Sequence, residues 1–368
     1  MNYTYRISFF FISIASSSYG LSNNFGSPAT KSTWSPSVWK AALSDLPAET
    51  RLAQTLPVTG KVPFDLSGIL YKNGPAKFSR RGQSYEHWLE GDGAVLRLEF
   101  DNGKVMFSSR FVRTNSFQAD ENANAITIRG TFGTNKNDGS LNALDIRLKN
   151  PANTNAIRIG DHVLALAEVG LPYKLNASTL ETLGMETFES RLRNGITAAT
   201  IGSAQIDKLL GFGHAVVAHV RRAPFRDPNA APRLVVAGVQ QHVLTGDTEV
   251  RLLELNHRTG IVLSDTERVI LEDTGFPPHD FCCTLSCAIW VTCPAHGDLT
   301  PFFLGQQGPA QCLSFRPGAT STLHIVERGQ QPDQPSVKRL VLPGPIYPVV
   351  GIVCVFVCVK NLSNSLIS

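Results

Sequence analysis

Short runs in which apolar and polar residues alternate, each closed by a turn signal, recur through most of this 368-residue chain. A period of two marks a half-buried strand. Residues 94–100 (AVLRLEF) show it most cleanly, with Leu96, Leu98 and Phe100 on one face and Arg97 and Glu99 on the other. The same reading predicts strands over 104–112, 125–129, 162–169, 232–244, 249–255, 261–271, 287–293, 322–327 and 337–342. Turn signals separate them at Asp101-Asn102-Gly103, Asn137-Asp138-Gly139, Gly160-Asp161 and Arg258-Thr259-Gly260. Helix is predicted over 37–46 and within part of 185–210. The 30 Gly and 22 Pro suit a chain with many turns. Such strands predict an all-β sandwich, barrel or propeller, and no repeat period chooses among them.

Composition narrows the function classes. With 42% hydrophobic and 17% charged residues, the chain is neither a disordered polar tract nor a polytopic membrane protein. A formal charge of +4 is too small a bias to argue for nucleic acid as a partner. Residues 1–40 read as a targeting leader. One positive charge precedes a short apolar run at 7–15, small residues follow, and the first acidic residue is Asp45. An acid-poor, hydroxyl-rich stretch behind a signal-like segment predicts a bipartite route into a plastid; the alternative is the secretory pathway. At the other end, 349–359 (VVGIVCVFVCV) is apolar throughout and too short for a membrane-spanning helix. The domain plan is therefore a leader (1–40), a body (41–345) and a divergent tail (346–368). All seven cysteines follow residue 281. They form neither an even disulfide framework nor a zinc spacing, so buried thiols in strands are expected.

Candidate chemistry rests on histidines, because no nucleotide-binding, zinc-protease or serine-hydrolase motif is present. His219, in Ala218-His219-Val220-Arg221-Arg222, and His279, in Pro277-Pro278-His279-Asp280-Phe281, are candidate metal ligands. Neutral imidazole suits iron, copper or zinc; the alternative for each is an ordinary core or surface histidine. The same alternative weighs more heavily on His87, His162, His214, His242, His257, His296 and His324. Glu168 lies within the apolar run 164–169 and reads as a buried carboxylate on a strand, which needs either a metal-bound histidine or an arginine beside it.

The words around these residues carry more than the residues alone. Gly68-Ile69-Leu70-Tyr71-Lys72-Asn73-Gly74-Pro75 is followed by His87-Trp88-Leu89-Glu90-Gly91-Asp92-Gly93, Arg129-Gly130-Thr131-Phe132-Gly133-Thr134 and Ala152-Asn153-Thr154-Asn155. Leu164-Ala165-Leu166-Ala167-Glu168, Pro172-Tyr173-Lys174-Leu175 and His279-Asp280-Phe281-Cys282-Cys283-Thr284 complete the series. In this order, from about residue 66 to 342, the chain resembles the carotenoid cleavage oxygenases. The resemblance implies a seven-bladed β-propeller holding Fe(II) through four histidines. It implies a carotenoid or apocarotenoid substrate cleaved with O2 at a conjugated double bond, and peripheral membrane contact. On its motifs His219 and His279 match the first two ligands, and Glu168 matches a carboxylate that bonds a ligand histidine. Val220 departs from the family's proline after the first ligand. The word carrying the third ligand does not follow Tyr347, and no histidine follows His324. The expectation is a propeller lacking its last blades, either an oxygenase or an inactive member that binds apocarotenoid or a partner without iron.

Overall fold

Most pairing within each sheet is antiparallel; Thr50–Thr55 departs from simple chain order by pairing with Lys104–Phe111, and Ala199–Thr200 pairs parallel with Arg233–His242. The structure, a computed structural model, describes residues 44–136, 143–223, 232–266, 268–272, 274, 278, 280–283, 287–292, 295–297, 313–315, 320–327 and 337–342. The first sheet runs Thr50–Thr55, Lys104–Phe111, Asp92–Asp101, Gly68–Lys77. The second runs Thr182–Met185, Tyr173–Asn176, His162–Leu166, Asn155–Ile159. In the third, Ala199–Thr200, Ala215–Val216 and Arg221–Arg222 share one edge of Arg233–His242. Thr248–Asn256 lies beyond it, then Val262–Asp265 and Val269–Leu271. The fourth runs Cys282–Cys283, Cys287–Thr292, Ser321–Glu327, Val337–Leu342.

Local chemistry explains the hairpins. Asn102 (φ 47°) and Gly103 (φ 74°) both adopt the left-handed region, as a two-residue turn matched to strand twist requires. That turn fixes the register from Asp101 opposite Lys104 to Ala94 opposite Phe111. Gly160 (φ 56°) turns the next hairpin, and a Cβ there would meet the Arg258 carbonyl at 2.5 Å. Gly160 N–H donates to the His257 carbonyl (3.0 Å), so this turn locks against the Arg258-Thr259-Gly260 turn of the third sheet.

Successive sheets stack face to face. Val95 packs with Val163, Ala165 and Leu175, joining the first sheet to the second. Leu164 and Leu166 pack with Leu234, Val236, Leu253 and Leu255, joining the second to the third. Val235, Ala237, Val250 and Leu252 pack with Ala288, Trp290 and Val326, joining the third to the fourth. Each such side chain, fully buried, contributes about 1.5–3 kcal/mol. Four-stranded antiparallel sheets stacked in chain order are consecutive blades of a β-propeller.

Several expectations change. On the 94–100 strand the alternation is as read, but the packed face is the other one. The second sheet stacks on the face of Val95, which buries Arg97 with its ion pair to Glu99 (2.8 Å), while Leu96, Leu98 and Phe100 stay half-buried. Residues 125–129 form no strand. They follow a helix, Asn115–Ala123, whose first turn is capped by Thr114 Oγ1 accepting from Phe117 N–H (2.9 Å). Asp120 then holds Thr127 through its N–H (2.8 Å) and hydroxyl (2.6 Å), which keeps the chain out of a ladder. Residues 44–46 are not helical, and 37–43 lie outside the described residues; the helix expected within 185–210 is Ala204–Leu209. The 261–271 run is two strands, because Thr266 turns back to bond the Leu252 carbonyl (2.9 Å). Cys282, Cys283 and Cys287 are thiols in no disulfide, on strands but half-buried, and burial pushes the Cys282 thiol up to about 11. The leader and the tail lie outside the described residues.

Candidate metal centre

One edge strand of each sheet meets its counterpart in the next, and side chains tie these edges together. Asn73, on Gly68–Lys77, donates its amide to the carbonyls of Ala152 (2.7 Å) and Asn155 (3.0 Å). Asn155 in turn donates to the Ala218 carbonyl (3.0 Å). Arg221 donates to the Phe281 carbonyl (2.8 Å) and grips the Asp280 carboxylate with Nε (3.0 Å) and Nη2. The chain of contacts passes from the first sheet to the fourth along this shared inner edge.

Of the three residues singled out from sequence, two are described. His219 is half-buried, directly after the Ala218 carbonyl held by Asn155 and two residues before Arg221. His279 lies outside the described residues, but its neighbour Asp280 is the carboxylate that Arg221 grips. Arg221 and Asp280 therefore tie the segment after His219 to the segment after His279. Glu168 is not on a strand, as sequence suggested. The His162–Leu166 strand ends where the Leu166 carbonyl accepts from Thr154 N–H (2.9 Å), and Glu168 occupies the following turn, half-buried. Two residues on, the Gly170 carbonyl accepts from Val216 N–H (3.1 Å), binding the Glu168 turn to the strand that leads to His219. Backbone contacts thus bring the segments of Glu168 and His219 together.

Three of the other described histidines have structural contacts. His324 is fully buried, its Nε2 paired with Thr292 Oγ1 (2.9 Å), and burial pushes it down to about 4. His87 Nδ1 accepts from Leu89 N–H (3.3 Å) while its ring stacks on Phe132 at 4.5 Å, and burial lowers its pKa. His214 Nδ1 accepts from Arg193 N–H (3.0 Å). Among the described residues, no group of three or more His, Cys, Asp or Glu could hold a metal ion. Sequence reasoning gave no role to Asn73, Asn155 or the Arg221–Asp280 pair. The signal available was that all four fall inside the quoted segments.

Residues 44–344 match the family described as retinal pigment epithelial membrane protein. The chain belongs to this family. It is 30% identical over 318 residues to the apocarotenoid-15,15'-oxygenase of Synechocystis sp., a match covering 85% of this chain and 59% of that protein. It is 23% identical over 288 residues to the beta,beta-carotene 15,15'-dioxygenase of Gallus gallus, covering 74% of this chain and 51% of that one. Among solved structures, cobalt-substituted Synechocystis ACO superposes with a TM-score of 0.71 at 29% identity, covering 85% of this chain and 60% of that chain. The chain thus spans about half to three fifths of the length of these relatives. Its sheets are those of a carotenoid-oxygenase β-propeller, the all-β class expected from sequence.

Proposed function

We propose that the chain works as an Fe(II)-dependent oxygenase that cleaves a conjugated C=C bond of a carotenoid or apocarotenoid with O2, giving two carbonyl products. The observation that carries this reading is the tied inner edge, which fixes the His219 segment against Asp280, beside His279, in a family member similar to an apocarotenoid-15,15'-oxygenase. The donor chemistry fits iron: neutral imidazole is a good Fe(II) ligand, and a neutral ligand set leaves the metal's charge uncompensated. His219 and His279 would hold the ion, which supplies O2 binding and activation when present. Glu168, on the turn tied to the strand before His219, is proposed to fix a ligand imidazole's orientation; loss of such a partner costs roughly 10–100-fold in affinity or activity. Asn155 and the Arg221–Asp280 pair keep these segments from drifting.

A second reading has its own support. Within these 368 residues, two of the four histidine ligands that the resemblance implies are matched. On that reading the chain binds apocarotenoid, or a partner, without iron. Anaerobic reconstitution of the purified chain with Fe(II), followed by O2 and an apocarotenal, separates the two. Iron-dependent carbonyl products, lost in His219→Ala, support the oxygenase; pigment retention with no bound iron and no product supports the binding protein.

The leader is proposed to direct the chain to a plastid, where carotenoids lie in membranes. Fusion of residues 1–40 to a fluorescent protein tests this: retention in the secretory pathway would contradict it. Membrane contact would be peripheral on this reading, and among the described residues no helix is long and apolar enough to cross a bilayer.

A further inference from the structure

A cavity of about 530 Å³ opens where the third sheet's packing against the second runs out. Along Thr248–Asn256, alternate residues face one way. Leu255 and Leu253 pack into the second sheet, and the next two on that face, Arg251 and Glu249, line the cavity instead. Residues 187–194 form the opposite wall. Leu192 seats that wall on Gly238, where any Cβ would meet it at 2.5 Å. The volume falls within the range of small-molecule sites.

Charge in this cavity does not balance. Arg268 is matched by Glu249 (3.1 Å), and burial raises that carboxyl's pKa. Arg191 (2.8 Å) and Arg251 (Nε, 2.6 Å) share one carboxylate, Asp265. Arg193 spends its guanidinium on the carbonyls of Phe212 (2.8 Å) and Ala204 (3.5 Å), and Lys208 makes no ion pair among the described residues. Asp207, next to Lys208, is buried and gives its oxygens to the Thr200 hydroxyl (2.6 Å) and Ile201 N–H (2.8 Å). Even with Asp207 counted, at least two positive charges stay unmatched. His214 registers the same field: burial first, then Arg193, Arg251 and Arg268, push it down to about 4. At neutral pH it is an uncharged donor, since its Nδ1 already accepts from Arg193 N–H.

We infer that this cavity binds a small phosphate-bearing anion. Guanidinium forks match phosphate oxygens two at a time, and Lys208 adds a point charge. Thr187, Ser190 and Asn194 in the wall supply neutral donors. None of these residues belongs to the proposed metal centre, so the inference stands apart from the oxygenase reading.

Calorimetric titration of the full chain with inorganic phosphate, at ionic strength held constant with chloride, tests it. Saturable one-site binding is expected. Lys208 is exposed, so Lys208→Gln leaves the fold intact and should weaken phosphate about fivefold or more; Arg193→Gln should weaken it about tenfold or more. Circular dichroism checks both variants, and Lys208→Gln alone decides if Arg193→Gln does not fold. No saturable phosphate binding by the folded chain, or an unchanged affinity in the folded variants, overturns the inference.

Discussion

Arg80, Asp92, Asp120 and Lys149 are sealed from solvent, whereas Arg221 keeps 29% of its side chain exposed against Asp280. In the sealed group Arg80 meets Asp92 at 2.7 Å, and Lys149 meets Asp92 at 2.7 Å and Asp120 at 3.3 Å. Tyr85 adds its hydroxyl to Asp120 (2.9 Å) and accepts from Arg80 (2.9 Å). Burial, with Asp92 and Asp120 beside it, raises the Tyr85 pKa, so the phenol stays neutral. Two cations face two buried carboxylates, and Arg80 Nε also reaches Glu121 at the surface (3.0 Å). This group links Ser79–Arg80, Asp92–Asp101, the Asn115–Ala123 helix and Lys149, and its role is the fold. The Arg221–Asp280 pair also joins separate segments, but it lies between two that carry candidate ligands and stays partly open. Closure marks the structural cluster; partial exposure between the segments of the two candidate ligands marks the site.

Substitutions can break that contrast. Asp120→Ala leaves Arg80 and Lys149 to share Asp92 as their one buried carboxylate and should cost about 3–5 kcal/mol in chemical denaturation. A loss below 1 kcal/mol would mean the cluster is not a structural keystone. Next in size is acid sensitivity from His324. Its folded pKa, about 4, lies below the ordinary 6.5, so the unfolded chain takes up the proton first as pH falls. The stability His324 provides by staying neutral is complete above pH 6.5 and is lost between 6.5 and 4, by up to about 3 kcal/mol. Stability measured across that window should lose much of its slope in His324→Gln; an unchanged slope contradicts the assignment.

Smaller stability effects are expected along the inner edge, where the larger change should be in metal binding. Asn155→Ala removes the amide held to the Ala218 carbonyl and should cost about 1–2 kcal/mol in denaturation. Asp280→Asn should cost under about 1 kcal/mol, because Arg221 can turn to water. Fe(II) affinity in both variants should nevertheless fall about tenfold or more. Asp280→Asn losing stability like Asp120→Ala, with metal binding intact, would erase the distinction between the two regions.

The legible parts of the fold were those that local pattern dictates. Residues 94–100, 232–244 and 249–255 alternate or run apolar, and Asn102-Gly103 and Gly160 turn hairpins where sequence put them. Gly68–Lys77 was not read as a strand because it holds Gly74 and Pro75. An edge position tolerates them, since that side of the strand has no ladder to complete. The two-residue strands Ala199–Thr200, Ala215–Val216 and Arg221–Arg222 are too short to carry a period. Which face of 94–100 is packed depended on where the second sheet stacks, which the strand does not encode. For the candidate site, the motifs named His219 and Glu168 as candidates, but the contacts that hold their segments were hidden. Asn73 reaches Ala152, 79 residues on, and Arg221 reaches Asp280, 59 residues on, and no local rule pairs positions so far apart.

Anaerobic Fe(II) titration of the purified chain, in parallel with His219→Ala and His279→Ala, tests the central claim that these two segments form one metal centre. The expected result is saturable binding of one Fe(II) by the unaltered chain, weakened about tenfold or more in each folded variant. Equal Fe(II) affinity in all three proteins would contradict it.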